Sequence, residues 1–203
     1  LKALSMESLY NSMENPLLYV LSQMEANGIL LDIIKLKELG TIIKKECDEL
    51  SEKIFTLSGE EFNLNSSQQL SKILFEKRHL PTGKKTQGGF STDTATLEEL
   101  VATGDEIIPL ILRYRTYSKL QSTYVSSLFS LVGKDKRLHT QFLQIGTATG
   151  RLSSRNPNLQ NIPIRTEEGR LIRTAFVPKK GFVFLSADYA QIELVILAHL
   201  SGD

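Results

Sequence analysis

The sequence predicts an α+β fold, in which a hairpin of two long helices is followed by a region of short strands. Apolar residues recur at intervals of three and four over two long segments, and this interval keeps one face of a helix apolar. From Leu138 onward the apolar runs are short and are separated by glycine, proline and asparagine, which is typical of strands joined by loops. The change of pattern places a domain boundary near Gly133.

The first helices begin and end at recognisable residues. Residues 1–31 keep helical spacing as far as Asn27-Gly28, a pair that favours a helix end. Asp32 follows, and its carboxylate can accept hydrogen bonds from the free N–H groups at the start of the next helix. That helix keeps a heptad-like apolar seam as far as Ser58-Gly59, which predicts about 26 residues and a length of roughly 39 Å.

The second long helix is predicted at residues 105–132. Pro109 is tolerated there because the N–H groups of the first helical turn have no partner within the helix. The two long helices match in length, so we expect them to pack antiparallel.

Shorter elements lie between the two long helices. Residues 67–77 read as a helix with a capping box made by Ser66 and Gln69, and a further short helix is expected at 94–101. Between these helices the segment 81–89 combines glycines with two lysines, which predicts a flexible, basic tip.

Three short apolar segments in the last third of the chain read as strands. They are residues 138–145, 176–178 and 182–187. A helix is expected after the third strand, from Gln191 to Leu200.

Composition narrows the class of protein. The chain has 203 residues, of which 41% are hydrophobic and 23% charged, as in an ordinary soluble globular protein. No apolar run approaches the roughly 18 residues of a membrane helix, so we expect no membrane association. The single cysteine, Cys47, excludes an internal disulfide, fits a reducing compartment and lies on an apolar helical stripe where packing is expected. His79 and His139 have no partners at metal-ligand spacing, which argues against a zinc site.

Positive charge is concentrated in one part of the chain. Residues 133–180 hold ten lysines and arginines against three acidic residues, a net +7, while the remainder holds 14 basic and 20 acidic residues, a net −6. A positive patch within a nearly neutral protein indicates polyanion binding, above all of nucleic acid. The alternative is a solvated loop face without a partner.

Asp188 is the strongest candidate for chemistry. It follows the predicted strand 182–187, where a carboxylate is held rigidly and offers the oxygen ligands that a hard divalent cation prefers. The same place in the chain suits the N-cap of the following helix, and both roles remain open. Glu193 lies five residues further on and therefore on a different helical face, so it is a poor second ligand for the same metal.

A glycine-, asparagine- and arginine-rich segment, residues 147–165, provides the second candidate site. Its small residues allow a phosphate to approach the backbone, and Arg151 and Arg165 can bind phosphate by charge-assisted hydrogen bonds. Its amide side chains can donate to base-edge acceptors that are similar for every base pair in the minor groove. Alternatively, these amides satisfy the loop's own backbone.

These segments resemble the DNA polymerase I family, the family A DNA polymerases. The run TATGRLSSRNPNLQNIPIR is similar to the family's stretch along the primer–template duplex, and SADYAQIELVILAHLSGD to its first palm motif. Upstream, ENPLLYVLSQMEANGILLD, FNLNSSQQLSKILFEK, GFSTDTATLEEL and YRTYSKLQSTYV resemble its thumb. The resemblance covers essentially the whole chain, and it implies a long-helix thumb hairpin followed by the first part of an antiparallel-sheet palm.

The resemblance also implies roles for individual residues. Asp188 would be one of two catalytic, metal-binding aspartates, and the main-chain carbonyl of Tyr189 would complete a metal shell. Glu193 would be the gate that closes against the ribose 2′-hydroxyl of an incoming nucleotide, beside Tyr189 and Gln191 in nucleotide binding. The implied duplex contacts are Arg151, Asn158, Gln160, Asn161 and Arg165 in the loop and Lys119, Ser122, Thr123, Lys84 and Lys85 in the thumb.

For the protein as a whole, the resemblance implies template-directed DNA synthesis in replication and repair. Its cofactors would be two Mg²⁺ ions, and its partners primer–template DNA and dNTPs. We expect a monomer in the bacterial cytoplasm, associated with the nucleoid. The expected domains are the end of an exonuclease-like domain at 1–15, a helical thumb at 16–133 and the start of the palm at 134–203.

Departures from the family pattern define the alternatives. The family's motif has serine and arginine where this chain has Ala190 and Val195, and it more often has polar residues where this chain has Leu143 and Ile145. The fingers helix and the second catalytic aspartate are not in this sequence, so we expect a fragment that binds duplex without synthesis. The rival interpretations are a non-catalytic DNA-binding remnant and a plain helical scaffold.

Overall fold

The chain folds as α-helices accompanied by small antiparallel sheets, and the computed structural model describes residues 1–86, 89–164 and 166–202. In chain order the α-helices are α1 (Glu7–Leu9), α2 (Asn15–Asn27), α3 (Ile33–Ser58), α4 (Ser67–Ser71), α5 (Thr94–Leu100), α6 (Ile107–Lys119), α7 (Ser127–Leu131), α8 (Glu167–Arg173) and α9 (Ile192–Ser201). π-Helical turns occupy Tyr10–Glu14, Lys72–Lys77 and Leu120–Ser126, and short 3₁₀ turns occupy Lys2–Leu4 and Val101–Thr103. The strands are β1 (Ile29–Leu30), β2 (Lys85–Thr86), β3 (Gly89–Phe90), β4 (Arg137–Leu138), β5 (Gln141–Leu143) and β6 (Ser153–Arg155). This combination confirms the predicted α+β class.

The first long helix begins and ends where the sequence predicts. The Asp32 carboxylate accepts a hydrogen bond of 3.0 Å from the backbone N–H of Lys35, which satisfies one free donor at the start of α3. Gly59 follows the helix with φ of 76°, in the left-handed region that glycine adopts without a steric penalty.

The second long helical stretch runs through α6, the π-helical turn Leu120–Ser126 and α7. Leu36, near the start of α3, belongs to the same buried cluster as Leu128, near the end of this stretch. We call it the first cluster. Ile54, near the end of α3, belongs to a second cluster with Ile107, at the start of α6. The two helices are therefore antiparallel, and the predicted helical hairpin is confirmed.

Gly40 allows the two helices of the hairpin to approach closely. A Cβ atom at this position would lie 2.8 Å from a methyl carbon of Val125, nearer than side chains pack. Cys47 is half-buried against the same first cluster, in agreement with its predicted packing role. Burial is the main cause that raises the pKa of its thiol.

An ion pair closes the far end of the hairpin. Arg78 donates to both carboxylate oxygens of Asp105, at 2.9 and 2.8 Å, and to the backbone carbonyl of Leu57 at 2.7 Å. Burial opposes the charged form of Asp105, but the hydrogen bonds from Arg78 and from the Ile107 N–H outweigh it, and the pKa of Asp105 is lowered. The pair joins the end of α3 to the start of α6.

The predicted helix at 67–77 forms, but its capping box is only half made. Ser66 Oγ accepts a 3.4 Å hydrogen bond from the Gln69 N–H, as predicted. The Gln69 side chain, however, accepts its 2.8 Å bond from the N–H of Asn63, not from that of Ser66. The predicted helix at 94–101 also forms, with Asp93 as its N-cap at 2.8 Å from the Thr96 N–H.

Residues after Gly133 share the core of the hairpin. β1 pairs with β4, and Leu31 forms a bridge with Phe176. Ile172 of α8 joins Leu36 of α3 in the first buried cluster. The predicted strand at 138–145 is divided into β4 and β5, and of the segment 176–178 only Phe176 makes a strand bridge.

The prediction of a strand at 182–187 is wrong. This segment forms no helix and pairs with no strand among residues 1–86, 89–164 and 166–202. Its apolar side chains are exposed at successive positions, since Phe184 is 58% and Leu185 92% accessible. A strand needs a hydrogen-bonding neighbour, and the apolar pattern alone does not supply one. In the part of the chain that the structure describes, no helix is both long and apolar enough to cross a membrane.

His139 connects the end of α2 to the turn before β4. Its Nδ1 lies 2.8 Å from the carbonyl oxygen of Glu25, and its Nε2 lies 2.9 Å from a carboxylate oxygen of Asp135. Both partners accept hydrogen bonds, so the two bonds together require the doubly protonated ring. The backbone bond to Glu25 and then the bond to Asp135 raise the pKa of His139.

We therefore expect the His139 contribution to stability to depend on pH. Because the folded pKa is raised, the contribution is fully present below about pH 6.5, the usual histidine pKa, and is lost as pH rises through the folded value. Urea unfolding of the wild type and of His139→Gln at pH 5.5 and pH 8.5 measures this, and their difference in unfolding free energy should shrink at the higher pH. His199→Gln, at an exposed position on α9, is the control. A difference that is constant with pH would contradict the assignment.

Candidate nucleic-acid interface

The glycine-rich segment forms the turn between β5 and β6 and the loop that follows β6. Arg151 is exposed on this turn, and its backbone carbonyl accepts a 2.7 Å hydrogen bond from the Thr147 hydroxyl. Its guanidinium lies 3.7 Å from a carboxylate oxygen of Glu193, in the first turn of α9. The structure thus brings together two predicted site residues that are far apart in sequence. Both are largely exposed, so the pair contributes little to stability and leaves Arg151 accessible.

The loop after β6 is held by its own amide side chains. Asn158 Oδ1 accepts hydrogen bonds from the Ser154 hydroxyl at 3.2 Å and from the Gln160 N–H at 3.0 Å. The Gln160 side chain donates to the carbonyl of Leu152 at 2.9 Å. The Asn158 oxygen and the Gln160 amide group therefore form hydrogen bonds within the loop, as the alternative interpretation of this segment predicts.

Asn161 differs from its neighbours in the loop. Its side chain is exposed, while its backbone carbonyl accepts a 2.6 Å hydrogen bond from the hydroxyl of Tyr124. Thr140, also buried, donates to the carbonyls of Arg155 and Pro157. Sequence reasoning missed both hydroxyl groups: Tyr124 lies on the apolar face of the second long helix, where the pattern indicates packing alone.

The remaining predicted duplex contacts lie in separate places. Lys119, Ser122 and Thr123 are exposed on the second long helical stretch. Lys119 ends α6, and the other two lie on the π-helical turn that also carries the buried Tyr124. Lys84 and Lys85 lie at the β2–β3 hairpin. Arg165 lies outside the described residues, as do Gln87 and Gly88 of the tip.

The β2–β3 hairpin, which carries the tip lysines, packs on the second cluster, whereas the loop after β6 packs on the first. Phe90 of β3 packs edge-on against Phe75, with ring centroids 5.4 Å apart, in the second cluster. Leu159 and Ile162 of the loop pack against the first. The lysines and the loop therefore rest on different ends of the hairpin.

Asp188 is exposed near the end of the irregular segment 182–189. It forms no hydrogen bond or ion pair with any described residue. α9 begins at Ile192, and its N-cap residue is Gln191, without a side-chain cap. The alternative role of Asp188 as the N-cap of this helix is therefore wrong. Tyr189 is also exposed, and Gln191 has a positive φ of 51°.

The carboxylate of Asp188 suits a divalent metal, but the described residues do not complete a site. Its oxygens are the ligand type that Mg²⁺ prefers. Across residues 1–86, 89–164 and 166–202 there is no group of three or more His, Cys, Asp and Glu side chains placed to hold a metal ion. One carboxylate is less than a metal site requires, so further ligands would have to come from outside the described part of the chain.

The fold and these motifs are those of a polymerase-domain segment. The family model described as DNA polymerase family A matches residues 34–203. The chain therefore belongs to DNA polymerase family A, which confirms the resemblance seen in its sequence.

Relatives of known name agree with this assignment. DNA polymerase I of Lactococcus lactis subsp. lactis (strain IL1403) is 51% identical over 197 residues, which cover 97% of this chain and 22% of that protein. DNA polymerase I of Bacillus subtilis (strain 168) is 49% identical over 197 residues, covering 96% and 22%. The thermostable DNA polymerase I of Thermus thermophilus is 50% identical over 198 residues, covering 96% and 24%. The chain thus spans less than a quarter of the length of these relatives.

A solved structure has the same fold. The POL domain of Pol1 from M. smegmatis, in complex with DNA primer-template and dNTP, matches with a TM-score of 0.88 and 42% identity. The match covers 97% of this chain and 35% of that chain.

Proposed function

We propose that this chain is the thumb and first palm segment of a polymerase that carries out template-directed DNA synthesis, and that its basic loop holds the primer–template duplex. The proposal rests on the exposed polar side chains of residues 147–164 and on the contacts that hold their backbone. Arg151 is exposed on the β5–β6 turn, and the Asn161 side chain is exposed on the following loop, whose backbone is held by hydrogen bonds from the buried Tyr124 and Thr140. Such a surface can bind phosphates and base edges without rearranging. The M. smegmatis structure, a complex with DNA primer-template and dNTP, supports this proposal.

The proposed reaction is attack of the primer 3′-hydroxyl on the α-phosphate of a dNTP, with loss of pyrophosphate. Asp188 and the main-chain carbonyl of Tyr189 would supply oxygen ligands to Mg²⁺. Two such ions, when bound, stabilise the attacking and leaving oxygens. The remaining ligands would come from the rest of the longer protein.

Other residues of the proposed site have binding roles. Glu193, exposed in the first turn of α9 and beside Arg151, would face the nucleotide ribose and exclude a 2′-hydroxyl by contact. Tyr189 and Gln191 would border the nucleotide. Arg151 would bind the duplex near the primer end, and breaking its exposed pair with Glu193 would cost little.

The proposed organisation follows the predicted limits. Residues 1–15 would end an exonuclease-like domain, residues 16–133 would form the thumb and residues 134–203 the start of the palm. The longer protein would act as a monomer in replication and repair in the bacterial cytoplasm, at the nucleoid. The chain by itself would bind duplex without synthesis.

Removing the loop arginines should weaken duplex binding. We expect Arg151→Ala combined with Arg165→Ala to raise the Kd for a primer–template duplex by about tenfold to a hundredfold, since each lost charge-assisted contact is worth about 1 kcal/mol or more. Fluorescence anisotropy with a labelled duplex measures this. Lys45→Ala combined with Lys53→Ala is the control, because both lysines are exposed on helix α3 and the same charge is removed. An unchanged Kd in the loop variant would favour the scaffold interpretation.

A second candidate function is that of a non-catalytic DNA-binding remnant. It rests on Ala190 and Val195, which replace the serine and arginine of the family's motif. Val195 is exposed on α9, where an arginine side chain would also be accommodated without displacing core residues. The two candidates make the same prediction for duplex binding and differ only in synthesis by the longer protein.

A further inference from the structure

The side chain of Tyr124 is buried beneath the duplex-binding loop. It lies in the π-helical turn Leu120–Ser126 and is only 4% exposed. Its hydroxyl donates a 2.6 Å hydrogen bond to the backbone carbonyl of Asn161. Burial raises the pKa of this hydroxyl, so it remains a donor under all ordinary conditions.

This hydrogen bond fixes a residue whose two ends face opposite ways. The carbonyl of Asn161 faces the buried Tyr124, while its side chain is exposed. Leu159 and Ile162, on either side in sequence, pack against the first cluster. With the carbonyl held and both flanks packed, the direction in which the Asn161 side chain projects is set by the bond to Tyr124.

Separate contacts hold the earlier part of the same loop. Thr140 donates to the carbonyls of Arg155 and Pro157, and Ser154 contacts Asn158 and the Leu159 N–H. Among the described hydrogen bonds, the Tyr124 bond is the one that ties the later part of the loop to the long helical stretch, beside the apolar packing of Leu159 and Ile162. Removing the Tyr124 hydroxyl should therefore affect Asn161 while leaving the earlier part in place.

Tyr124 also belongs to the turn that carries other predicted duplex contacts. Ser122 and Thr123 are exposed while Tyr124 is buried. The hydrogen bond consequently links the exposed residues of the helix to the loop. Two surfaces that would touch one duplex are held in a fixed relation by this buried hydroxyl together with the apolar packing of the loop.

We propose that Tyr124 is a positioning residue for duplex binding, and that its hydroxyl orients Asn161 toward the DNA and holds the loop in register with the long helix. This role rests on the proposed function of the loop. Tyr124 itself does not touch the duplex, because its side chain is buried.

A double-mutant cycle on the whole chain tests this positioning role. The Kd for a primer–template duplex is measured for the wild type, Tyr124→Phe, Asn161→Ala and the double variant, at a temperature where circular dichroism shows each to be folded. Tyr124→Phe removes one hydrogen bond and should raise the Kd about three- to tenfold. In the Asn161→Ala background the same change should raise it less than about 1.5-fold, because the side chain that it orients is gone. Tyr19→Phe, at a tyrosine that is 71% exposed, is the matched control.

The outcomes separate this proposal from the proposed function. If the wild type does not bind duplex, both are overturned. If the wild type binds and Tyr124→Phe keeps its Kd within about 1.5-fold, the positioning role is overturned while the proposed function stands. A lower melting temperature with unchanged Kd would mean a purely structural hydrogen bond. Equal weakening in both backgrounds would mean that Tyr124 acts on binding independently of Asn161, which also overturns the proposal.

Discussion

Replacing Asp188 with asparagine in a longer polymerase that carries this chain is expected to reduce nucleotide incorporation by about a thousandfold or more. Asparagine keeps the size of the side chain but removes the negative charge that a divalent cation requires, and a loss of roughly 4 kcal/mol in transition-state stabilisation corresponds to that factor. Asp188 is exposed and forms no hydrogen bond or ion pair with a described residue, so the fold should be kept and the Kd for duplex should change by less than about twofold. Single-turnover incorporation and duplex anisotropy measure the two quantities.

A suitable protein for this measurement is a chimera in which the present chain replaces the matching segment of Bacillus subtilis DNA polymerase I, to which it is 49% identical. Asp48→Asn, on the exposed side of α3, controls for the loss of a surface carboxylate. If the incorporation rate of Asp188→Asn were within about tenfold of that of the unmodified chimera, Asp188 would not be a metal ligand. The unmodified chimera also decides between the two candidate functions: synthesis with Ala190 and Val195 in place contradicts the non-catalytic remnant.

Truncating Ile172 to alanine is expected to lower the free energy of unfolding by about 3 to 4 kcal/mol. Ile172 is completely buried, and removing its side chain deletes apolar contacts and leaves a cavity in the first cluster. This cluster joins α8 to the two long helices, so we expect α8 and the helices to unfold in one cooperative transition. Urea unfolding followed by circular dichroism gives the value.

Leu171→Ala is the matched control for this prediction, because the preceding residue on the same helix is 45% exposed. We expect it to lower stability by less than about 1 kcal/mol. If Ile172→Ala and Leu171→Ala had the same small effect, α8 would not be part of the cooperative core. The segment from residue 134 onward would then unfold separately from the helical hairpin.

The helical half of the fold could be predicted from sequence because its signals are local. Asp32 and Gly59 set the ends of α3 through contacts within a few residues, and the apolar seam follows from helical periodicity alone. The strand predicted at 182–187 failed for the opposite reason. Its apolar pattern is clear, but a strand is defined by pairing with another segment, and no periodicity specifies that partner.

The candidate site shows the same division. Arg151 and Glu193 were singled out from their motifs, and their proximity is a property of the fold that neither motif contains. Gln160 is predicted to contact the DNA, and the donation of its amide group to the loop backbone is a contact that the motif does not contain. The role of Tyr124 depends on a hydroxyl reaching a carbonyl 37 residues away in sequence, whereas its helical spacing indicates only an apolar face.

The salt dependence of binding tests whether this chain holds duplex DNA through its phosphates, independently of sequence. The Kd of the wild-type chain is measured for two unrelated duplexes of equal length between about 50 and 200 mM salt. Neutralised phosphates release counterions, so log of the association constant should fall with log of salt at a slope between about −2 and −5, equally for both duplexes. A slope near zero, or affinities that differ more than about tenfold between the two sequences, would contradict this mode of binding.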